Sequence, residues 1–307
     1  MQFQQTLKHP IACQGIGIHS GRLAQVVIKP APANSGILFV RTDLPGQPVI
    51  PARSSRVVDS SLATTLGSDQ AYVSTVEHLL AALAGLQIDN ARIEVSGPEV
   101  PILDGSAGPF SALLQKAGVK TLRWPRAFFL LQRPLEIVDG DKYIRVEPAP
   151  AIRFTCSIDF PHPKIGCQKL TFVPRPKAFC REIAPARTFG FLQEVQRLQA
   201  NGLALGGSLE NAIVLDNTGI LNPEGLRFPD EFVRHKMLDL IGDLALLGWP
   251  LVGHLQVHKG SHALHQKFME TLLQQQDAWR LWIPETQPAW RPTLPVPQPL
   301  RLRTAMA

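Results

Sequence analysis

Three short segments of the chain recur in the same order, and this internal duplication constrains the fold more than any other feature. The matching pairs, in chain order, are residues 29–33 (KPAPA) and 147–151 (EPAPA), 76–78 (VEH) and 233–235 (VRH), and 105–107 (GSA) and 260–262 (GSH). The second and third pairs are separated by nearly equal offsets of 157 and 155 residues, whereas the first is separated by 118. We infer two similar halves, with a net insertion of about 39 residues between residues 161 and 235.

Each half has the same predicted order of elements. Strand-like runs flank the proline-containing turn, and a helix, a strand and another helix follow. This segregation of strands and helices is typical of an α+β fold. The first domain is predicted to span residues 1–124 and the second residues 125–292, because the segment 124–126 (WPR) interrupts regular structure. The proline-rich tail, residues 293–307, is predicted to be extended or disordered.

Composition excludes several classes of protein. The 307 residues are 45% hydrophobic but contain no run of 18 apolar residues, so we expect a globular chain without a membrane span. The N-terminal segment has no apolar signal core, which predicts a cytoplasmic protein. The four cysteines form no CxxC pair, so we expect buried thiols rather than a disulfide frame. The net charge of +6 suits an anionic ligand, but the basic residues are scattered, and nucleic acid is not an expected partner.

Glu77 and His78 begin the predicted helix of the first half. Ser74 as N-cap with Glu77 three residues later matches a capping box, so Glu77 has a structural explanation. His78 has one too, as a core histidine with a satisfied ring. A polar imidazole in a strongly apolar helix nevertheless needs a partner, and a binding role stays open beside the structural one.

The corresponding helix of the second half carries a polar stripe. His235, Asp239 and Asp243 recur every four residues and therefore share one face of the helix. If the two halves pack as equivalents, His78 and His235 approach each other, and Asp239 completes a set of two histidines and one aspartate. Three protein ligands leave a fourth position for water, which is the pattern of catalytic rather than structural zinc.

A second group of histidines offers a rival metal site. His254, His258, His262 and His265 follow closely in the chain, and the first three are spaced by four. The segment 251–258 alternates like a strand, however, which would separate His254 from His258 by about 13 Å. His262 is predicted to begin the next helix. We therefore favour the site of His78, His235 and Asp239.

Five ordered motifs resemble those of the UDP-3-O-acyl-N-acetylglucosamine deacetylases, bacterial enzymes of lipid A synthesis. The resemblance covers about residues 1–275. The motifs are residues 17–21 (GIHSG), 74–80 (STVEHLL), 104–110 (DGSAGPF), 186–191 (ARTFGF) and 231–239 (EFVRHKMLD).

This resemblance implies a fold and an activity. It implies two similar domains, each a β-sheet packed on two helices, with the helices sandwiched between the sheets. It also implies one catalytic zinc ion, with ferrous iron as the alternative in the cell, held by the three ligands inferred above. The reaction implied is hydrolysis of an N-acetyl group. Glu77 would be its general base, His262 its general acid, Thr188 a group that holds the oxyanion, and Asp243 the residue that orients His262.

The resemblance also implies the substrate, a UDP-linked acylated amino sugar. An insert at about residues 191–221 would form the passage for the acyl chain. A monomer with at most peripheral membrane contact is expected. The residues expected to contact substrate are His19, Lys142, Phe160, Phe189, Lys236, Lys259, Gly207 and Ala212.

Two departures from the family pattern accompany these similarities. The segment 260–265 reads GSHALH where the family usually has SGHALN, so His265 replaces an asparagine. Ala63 stands where the family often has a cysteine near the metal cleft. Two alternative functions stay open at this point: a zinc amidase for another acylated substrate, and a non-catalytic protein that binds a nucleotide sugar or RNA. The second predicts loss of Glu77 or of a metal ligand, and the sequence retains all of them.

Overall fold

The structure is a computed structural model that describes residues 2–283. The predicted tail at residues 293–307 lies outside this range. The strands and helices that precede the second repeat are β1 (Phe3–Leu7), β2 (Ile11–Ile16), β3 (Leu23–Pro30), β4 (Ile37–Arg41), β5 (Val49–Pro51), β6 (Val57–Asp59), β7 (Thr65–Gly67), β8 (Tyr72–Val73), α1 (Glu77–Gly85), β9 (Ala91–Val95), α2 (Gly108–Ala117) and β10 (Val119–Pro125).

The second part of the chain has the same pattern with more elements between its last hairpin and its long helix. These elements are β11 (Phe128–Leu131), β12 (Leu135–Asp139), β13 (Lys142–Glu147), β14 (Arg153–Phe160), β15 (Gly166–Phe172), α3 (Pro176–Glu182), β16 (Phe189–Phe191), α4 (Leu192–Ala200), β17 (Ile213–Leu215), α5 (Glu231–Leu244), β18 (Leu251–Val252), β19 (His254–His258), α6 (His262–Gln274) and β20 (Trp279–Trp282).

Two five-stranded sheets confirm the duplication. One has the strand order β2-β3-β9-β4-β5 and the other β12-β13-β19-β14-β15. In each sheet the central strand (β9 or β19) runs parallel to one neighbour and antiparallel to the other, and the outer pairs are antiparallel. In each half one helix precedes the central strand and another follows it. The α+β class and the two similar units are therefore as expected. The boundary predicted at residue 124 falls within β10 and stays a prediction.

The helices lie between the sheets. Alternate residues of β3 are buried, as in a strand with one face toward a core. Every residue of α1 except Ala84 is buried, and twelve of the fourteen residues of α5 are buried. A helix that is apolar and covered on nearly all sides belongs in the middle of a domain. Helices α1 and α5 pack on each other, α2 packs on α1, and α6 packs on α5.

Glycine at one position permits the close crossing of α1 and α5. A Cβ atom at Gly242 would lie 2.1 Å from the main-chain oxygen of Glu77, which no side chain tolerates. The equivalent Gly85 has a different neighbour, because its Cβ would lie 2.3 Å from the ring of Phe179 on α3. The matching glycines thus permit close packing in both halves, but against different partners.

The segment inserted in the second half contains α3, β16, α4 and β17, and β16 pairs in parallel with β17. Helix α4 and strand β17 lie within the predicted insert at about residues 191–221. Its main chain also contacts the first half: Leu205 N donates to His19 O at 3.2 Å, and Gly206 N donates to Ile18 O at 3.0 Å. Within residues 2–283 no helix is both long enough and apolar enough to cross a membrane.

Candidate metal centre

Helix α1 begins two residues after Thr75, whose backbone is strained. Thr75 has a φ of 56°, and its hydroxyl donates to Glu99 Oε1 at 2.8 Å. The expected capping box is wrong: no side chain caps α1, and Ser74 Oγ lies 2.9 Å from Thr65 Oγ1 instead. Glu77 Oε2 accepts a hydrogen bond from the Thr64 main chain at 3.1 Å. The Glu77 carboxylate is therefore held away from its own helix terminus.

Three potential ligands from the two halves converge at this point. Asp239 Oδ1 lies 3.3 Å from His235 Nε2 and 3.6 Å from His78 Nε2. The two imidazole rings meet edge to face with centroids 5.0 Å apart. All three residues are buried. The pairing of His78 with His235 across the helix crossing is the one that the duplication predicts.

The chemistry of this donor set fits a metal ion. Asp239 Oδ1 is buried without a hydrogen-bond partner, which is costly for a carboxylate oxygen unless a cation occupies the space beside it. Its other oxygen accepts from Lys236 Nζ at 2.9 Å. Burial lowers the pKa of His235 to about 3, so its imidazole is neutral and can ligate. The Nδ1 atom of His235 faces Ala186 O at 3.1 Å, an orientation that leaves Nε2 for the ion.

Glu77 lies beside these three residues, but its carboxylate faces His262. Its Oε1 is 4.0 Å from His262 Nε2. Burial raises the pKa of Glu77, although the nearby imidazoles oppose the shift. A buried carboxylate with a raised pKa can accept a proton near neutral pH, as a general base requires.

Asp243 links three side chains at the start of α6. Its Oδ2 lies 2.7 Å from Nδ1 of both His262 and His265, and its Oδ1 accepts from the Thr64 hydroxyl at 2.6 Å. The carboxylate thus fixes Nδ1 of His262 and directs the opposite ring nitrogen toward Glu77.

The charge of Asp243 also determines the protonation of His262. Burial by itself would lower the pKa of His262, but the adjacent Asp243 carboxylate outweighs it and raises the pKa to about 10. Burial likewise opposes ionisation of Asp243, yet the two imidazoles hold the pKa of that carboxyl well below its ordinary value. His262 is therefore a cation at neutral pH and can donate a proton.

The four histidines of the rival metal site do not come together in the structure. His254 and His258 begin and end β19, where His254 Nε2 contacts Thr155 Oγ1 at 2.9 Å and His258 Nδ1 contacts Ser157 Oγ at 2.9 Å. His262 and His265 do meet, but around Asp243. The ligand atoms of these last three residues are close enough for a metal. In the structure, however, both Nδ1 atoms already bind the shared carboxylate.

Several residues expected to contact substrate surround His235. The Phe189 ring lies 6.3 Å from the His235 ring and 5.6 Å from the Phe160 ring, and Lys236 Nζ lies 5.6 Å above Phe189. Lys236 keeps a raised pKa despite burial, because Asp239 is beside it. These side chains form an aromatic and cationic wall next to His235 and Asp239.

Two further residues expected to contact substrate, Lys142 and Lys259, lie at the adjacent ends of strands β13 and β19. Lys259 is paired with Asp141 at 2.7 Å and Asp159 at 3.1 Å, and Lys142, which follows Asp141, is half-buried. Thr188 is fixed by main-chain hydrogen bonds with Gly105 and Ile213, each 2.8 Å long.

The remaining expected contacts lie where the insert meets the first half. Burial lowers the pKa of His19, whose Nδ1 is buried without a hydrogen-bond partner. Gly207 and Ala212, both half-buried, lie in the part of the insert that follows the His19 contact. The insert therefore brings the region of Gly207 and Ala212 against the first half, and the role of these residues in binding substrate stays a prediction.

Sequence reasoning missed two buried groups that support the site. Glu99 accepts hydrogen bonds from the main chain of His19 at 3.0 Å and Ser20 at 2.8 Å, as well as from Thr75. Arg187 is buried and pairs with Glu231, the first residue of α5, at 2.9 Å. Arg187 and Glu231 both belong to sequence motifs described above, and those motifs could have pointed to them. Glu99 follows a Gly-Pro pair in a loop and carries no periodic signal.

Comparison with known proteins gives a consistent result. A model of the family described as UDP-3-O-acyl N-acetylglycosamine deacetylase matches residues 4–274. Proteins named UDP-3-O-acyl-N-acetylglucosamine deacetylase are similar over most of their length. The relative from Myxococcus xanthus (strain DK1622) is 53% identical over 270 residues, 88% of this chain and 86% of its own. The relative from Anaeromyxobacter dehalogenans (strain 2CP-C) is 52% identical over 278 residues, 91% of this chain and 90% of its own.

Proposed function

The chain belongs to the UDP-3-O-acyl N-acetylglycosamine deacetylase family, and from that premise we propose that it hydrolyses the N-acetyl group of a UDP-3-O-(3-hydroxyacyl)-N-acetylglucosamine. The products are acetate and the free amine, at the committed step of lipid A synthesis in the cytoplasm. One observation carries the proposal. The orphaned Oδ1 of Asp239 and the Nε2 atoms of His78 and His235 form an open three-ligand set beside a buried carboxylate and a protonated imidazole.

His78, His235 and Asp239 would hold the ion, for which zinc is the proposed identity and ferrous iron the alternative. When bound by three protein ligands, zinc lowers the pKa of a water molecule to about 7 and polarises a carbonyl group. The structure supports this set through the neutral state of His235 and its hydrogen bond to Ala186.

Glu77 is proposed to take the proton of the attacking water. Its carboxylate is adjacent to His78 in sequence but is held by Thr64, so one residue can ligate while the other faces the water. The raised pKa of Glu77 suits a base that works near neutral pH. Thr188, fixed between Gly105 and Ile213, is proposed to stabilise the oxyanion, an effect that is commonly about 3 kcal/mol.

His262 is proposed to protonate the departing amine. Its Nε2 lies on the Glu77 side of the cleft, and Asp243 keeps it charged at neutral pH. The proton thus moves from water to Glu77, and a different proton moves from His262 to the amine nitrogen.

The aromatic and cationic wall is proposed to bind the UDP and sugar portions. Phe189 and Lys236 lie beside His235, Phe160 packs against Phe189, and Lys142 and Lys259 lie at the ends of strands β13 and β19. The insert is proposed to hold the acyl chain. Its contacts with His19 and Ile18 bring Gly207 and Ala212 to the same junction. Nothing in this arrangement requires a second copy of the chain, and we propose a monomer.

Acetate release from the UDP-linked acylated substrate tests the function. Dialysis of the full-length protein against a chelator should abolish release, and zinc should restore it with about one ion per chain. UDP-N-acetylglucosamine, which lacks the acyl chain, should be hydrolysed with a kcat/KM lower by several orders of magnitude, because binding energy from the remote chain is lost. Full activity of the metal-free protein would overturn the assignment, and equal efficiency on the two substrates would remove the acyl passage from it.

A further inference from the structure

A large cavity lies at the junction of the two halves, away from the candidate metal centre. Its volume is about 680 Å³, within the range of small-molecule sites. Its walls come from the C-terminal ends of α1 and α5, from strands β4 and β5 of the first sheet and β14 of the second, and from α3. No residue of the candidate metal centre lines it, and neither does any residue of the insert at 191–221. Among the apolar residues in its wall are Leu83, Phe154, Phe179, Ile241 and Leu244.

Three arginines line this cavity, and two of them, Arg53 and the exposed Arg56, make no ion pair among residues 2–283. Arg53 is half-buried, and its guanidinium lies 5.6 Å from the centre of the Trp249 ring. Among residues 2–283 it makes no ion pair and no side-chain hydrogen bond. The third arginine of the cavity, Arg126, is buried and differs from Arg53 because it pairs with Asp89 at 2.7 Å. Burial lowers the pKa of Arg53, as expected for a guanidinium that lacks a counter-ion.

We propose that this cavity is a second ligand site, which binds a single-chain amphiphile with one carboxylate, the carboxylate on Arg53 and the alkyl chain along the apolar wall. The planar guanidinium matches a carboxylate through two parallel hydrogen bonds. A monoanion balances the half-buried charge of Arg53, whereas Arg56 in the same wall is exposed and keeps its charge hydrated, and the buried Arg126 is already neutralised by Asp89. The Trp249 ring beneath Arg53 limits the orientations of the guanidinium and so favours a fixed head-group position.

The site does not depend on the proposed deacetylase reaction. The proposed acyl passage lies in the insert, on the side of His19, whereas this cavity lies at the other ends of α1 and α5. A ligand that binds only the folded chain also raises its Tm, and this gives a readout that is independent of turnover.

Calorimetric titration of the full chain with octanoate, decanoate and dodecanoate below their micellar concentrations tests the proposal. Each addition of two CH₂ groups should tighten Kd about tenfold, as expected for burial of the chain. Arg53→Gln should weaken dodecanoate binding by at least about tenfold, because the charged hydrogen bonds are lost. The matched control is Arg123→Gln, which removes an exposed arginine outside the cavity and should leave Kd unchanged. Equal weakening by both variants would show a general charge effect and overturn the proposal. Equal affinity for dodecyl phosphate and dodecanoate would contradict the carboxylate assignment.

Photolabelling separates this cavity from the proposed acyl passage. A dodecanoate analogue with a diazirine near its methyl end should label peptides that contain residues 80–90 or 241–251. Ala84→Phe, which places a ring in the cavity, should abolish that labelling and the ligand-induced rise in Tm. Labelling confined to residues 191–221 would overturn the proposal. So would protection of residues 284–307 from proteolysis that is lost in Ala84→Phe, since the chain's own C-terminal segment would then be the occupant.

Discussion

The two halves share a strand order but carry different chemistry at matching positions. Helix α1 contributes Glu77 and His78, whereas the matching residues of α5 are Arg234 and His235. Two carboxylates of α5 that face the site have no counterpart in the first half: Asp239 corresponds to Ala82, and Asp243 to Leu86, which directly follows α1. His262 at the start of α6 corresponds to Ala107 before α2. The residues of α1 and those of α5 come together because the two helices cross closely at Gly242.

This comparison shows how a duplicated fold yields an asymmetric site. Among the residues of the candidate metal centre only the histidine is retained in both halves, and the two copies meet across the crossing with ring centroids 5.0 Å apart. The first half adds the proposed base, and the second adds the third ligand, the proposed acid and the residue that orients it. Base and acid therefore approach the same point from opposite domains, which is the arrangement that water attack and amine departure require.

The largest expected effects distinguish His235, one of the two matching histidines, from Glu77, which only the first half contains. His235→Ala should remove both the bound metal and measurable turnover, because a three-ligand set becomes a two-ligand set. Glu77→Gln should retain one metal ion per chain and lower kcat by about 10²–10⁴-fold, the usual contribution of a general base. Metal analysis and acetate release on the same preparations measure both. Loss of the metal from Glu77→Gln would make Glu77 a ligand, and an unchanged rate would leave it a structural residue.

A smaller effect is expected from a change at Asp243, which has no carboxylate counterpart in the first half. Asp243→Asn removes the charge that raises the pKa of His262 to about 10, so the acid form is lost at lower pH. The basic limb of kcat/KM against pH should move to lower pH and kcat should fall, with metal content unchanged. The acidic limb should move little, since Asp243 is a minor influence on the pKa of Glu77.

His262→Ala is the companion variant for the pH profile. It should erase the limb that Asp243→Asn shifts, because both changes act on the same proton. The limbs are macroscopic values shared with the bound water, so the two variants have to be compared under one set of conditions. A basic limb that stays in place in Asp243→Asn, together with wild-type turnover, would mean that Asp243 does not control the acid.

The smallest effects should separate the two matching glycines. Gly242→Ala and Gly85→Ala should each lower the free energy of unfolding by about 1–3 kcal/mol, since each added Cβ meets a packed neighbour. Only Gly242→Ala should also lower kcat, because its Cβ displaces the main chain of Glu77. Thermal unfolding and turnover of metal-loaded protein test this, and equal loss of kcat in both variants would contradict a specific role for the crossing.

Much of the fold and of the candidate site could be predicted from the repeats. Their order predicts two similar α+β units, and the offset predicts where the second unit is longer. The pairing of His78 with His235 follows from the same symmetry. The roles of these residues and the identity of the ion stay predictions that the experiments above address.

The misses have physical causes. The Ser74–Glu77 spacing of a capping box is a local signal, and tertiary contacts with Thr64 and Thr65 override it. Glu99 is recruited by main-chain donors of a distant loop, and no pattern within one segment records such a contact. The cavity near Arg53 exists only because two sheets and three helices leave space between them, and His265 reaches Asp243 only once α5 and α6 have packed.

The burial of α1 on nearly every side has a consequence for synthesis of the chain on the ribosome. Helix α1 ends at Gly85, but the helix that covers its second face, α5, begins about 150 residues later at Glu231. At translation rates of about 5–20 residues per second, the nascent first half waits on the order of ten seconds for that cover. During this interval an apolar helix face has no permanent partner, which makes the half-made chain a candidate for chaperone binding and for association with other nascent copies.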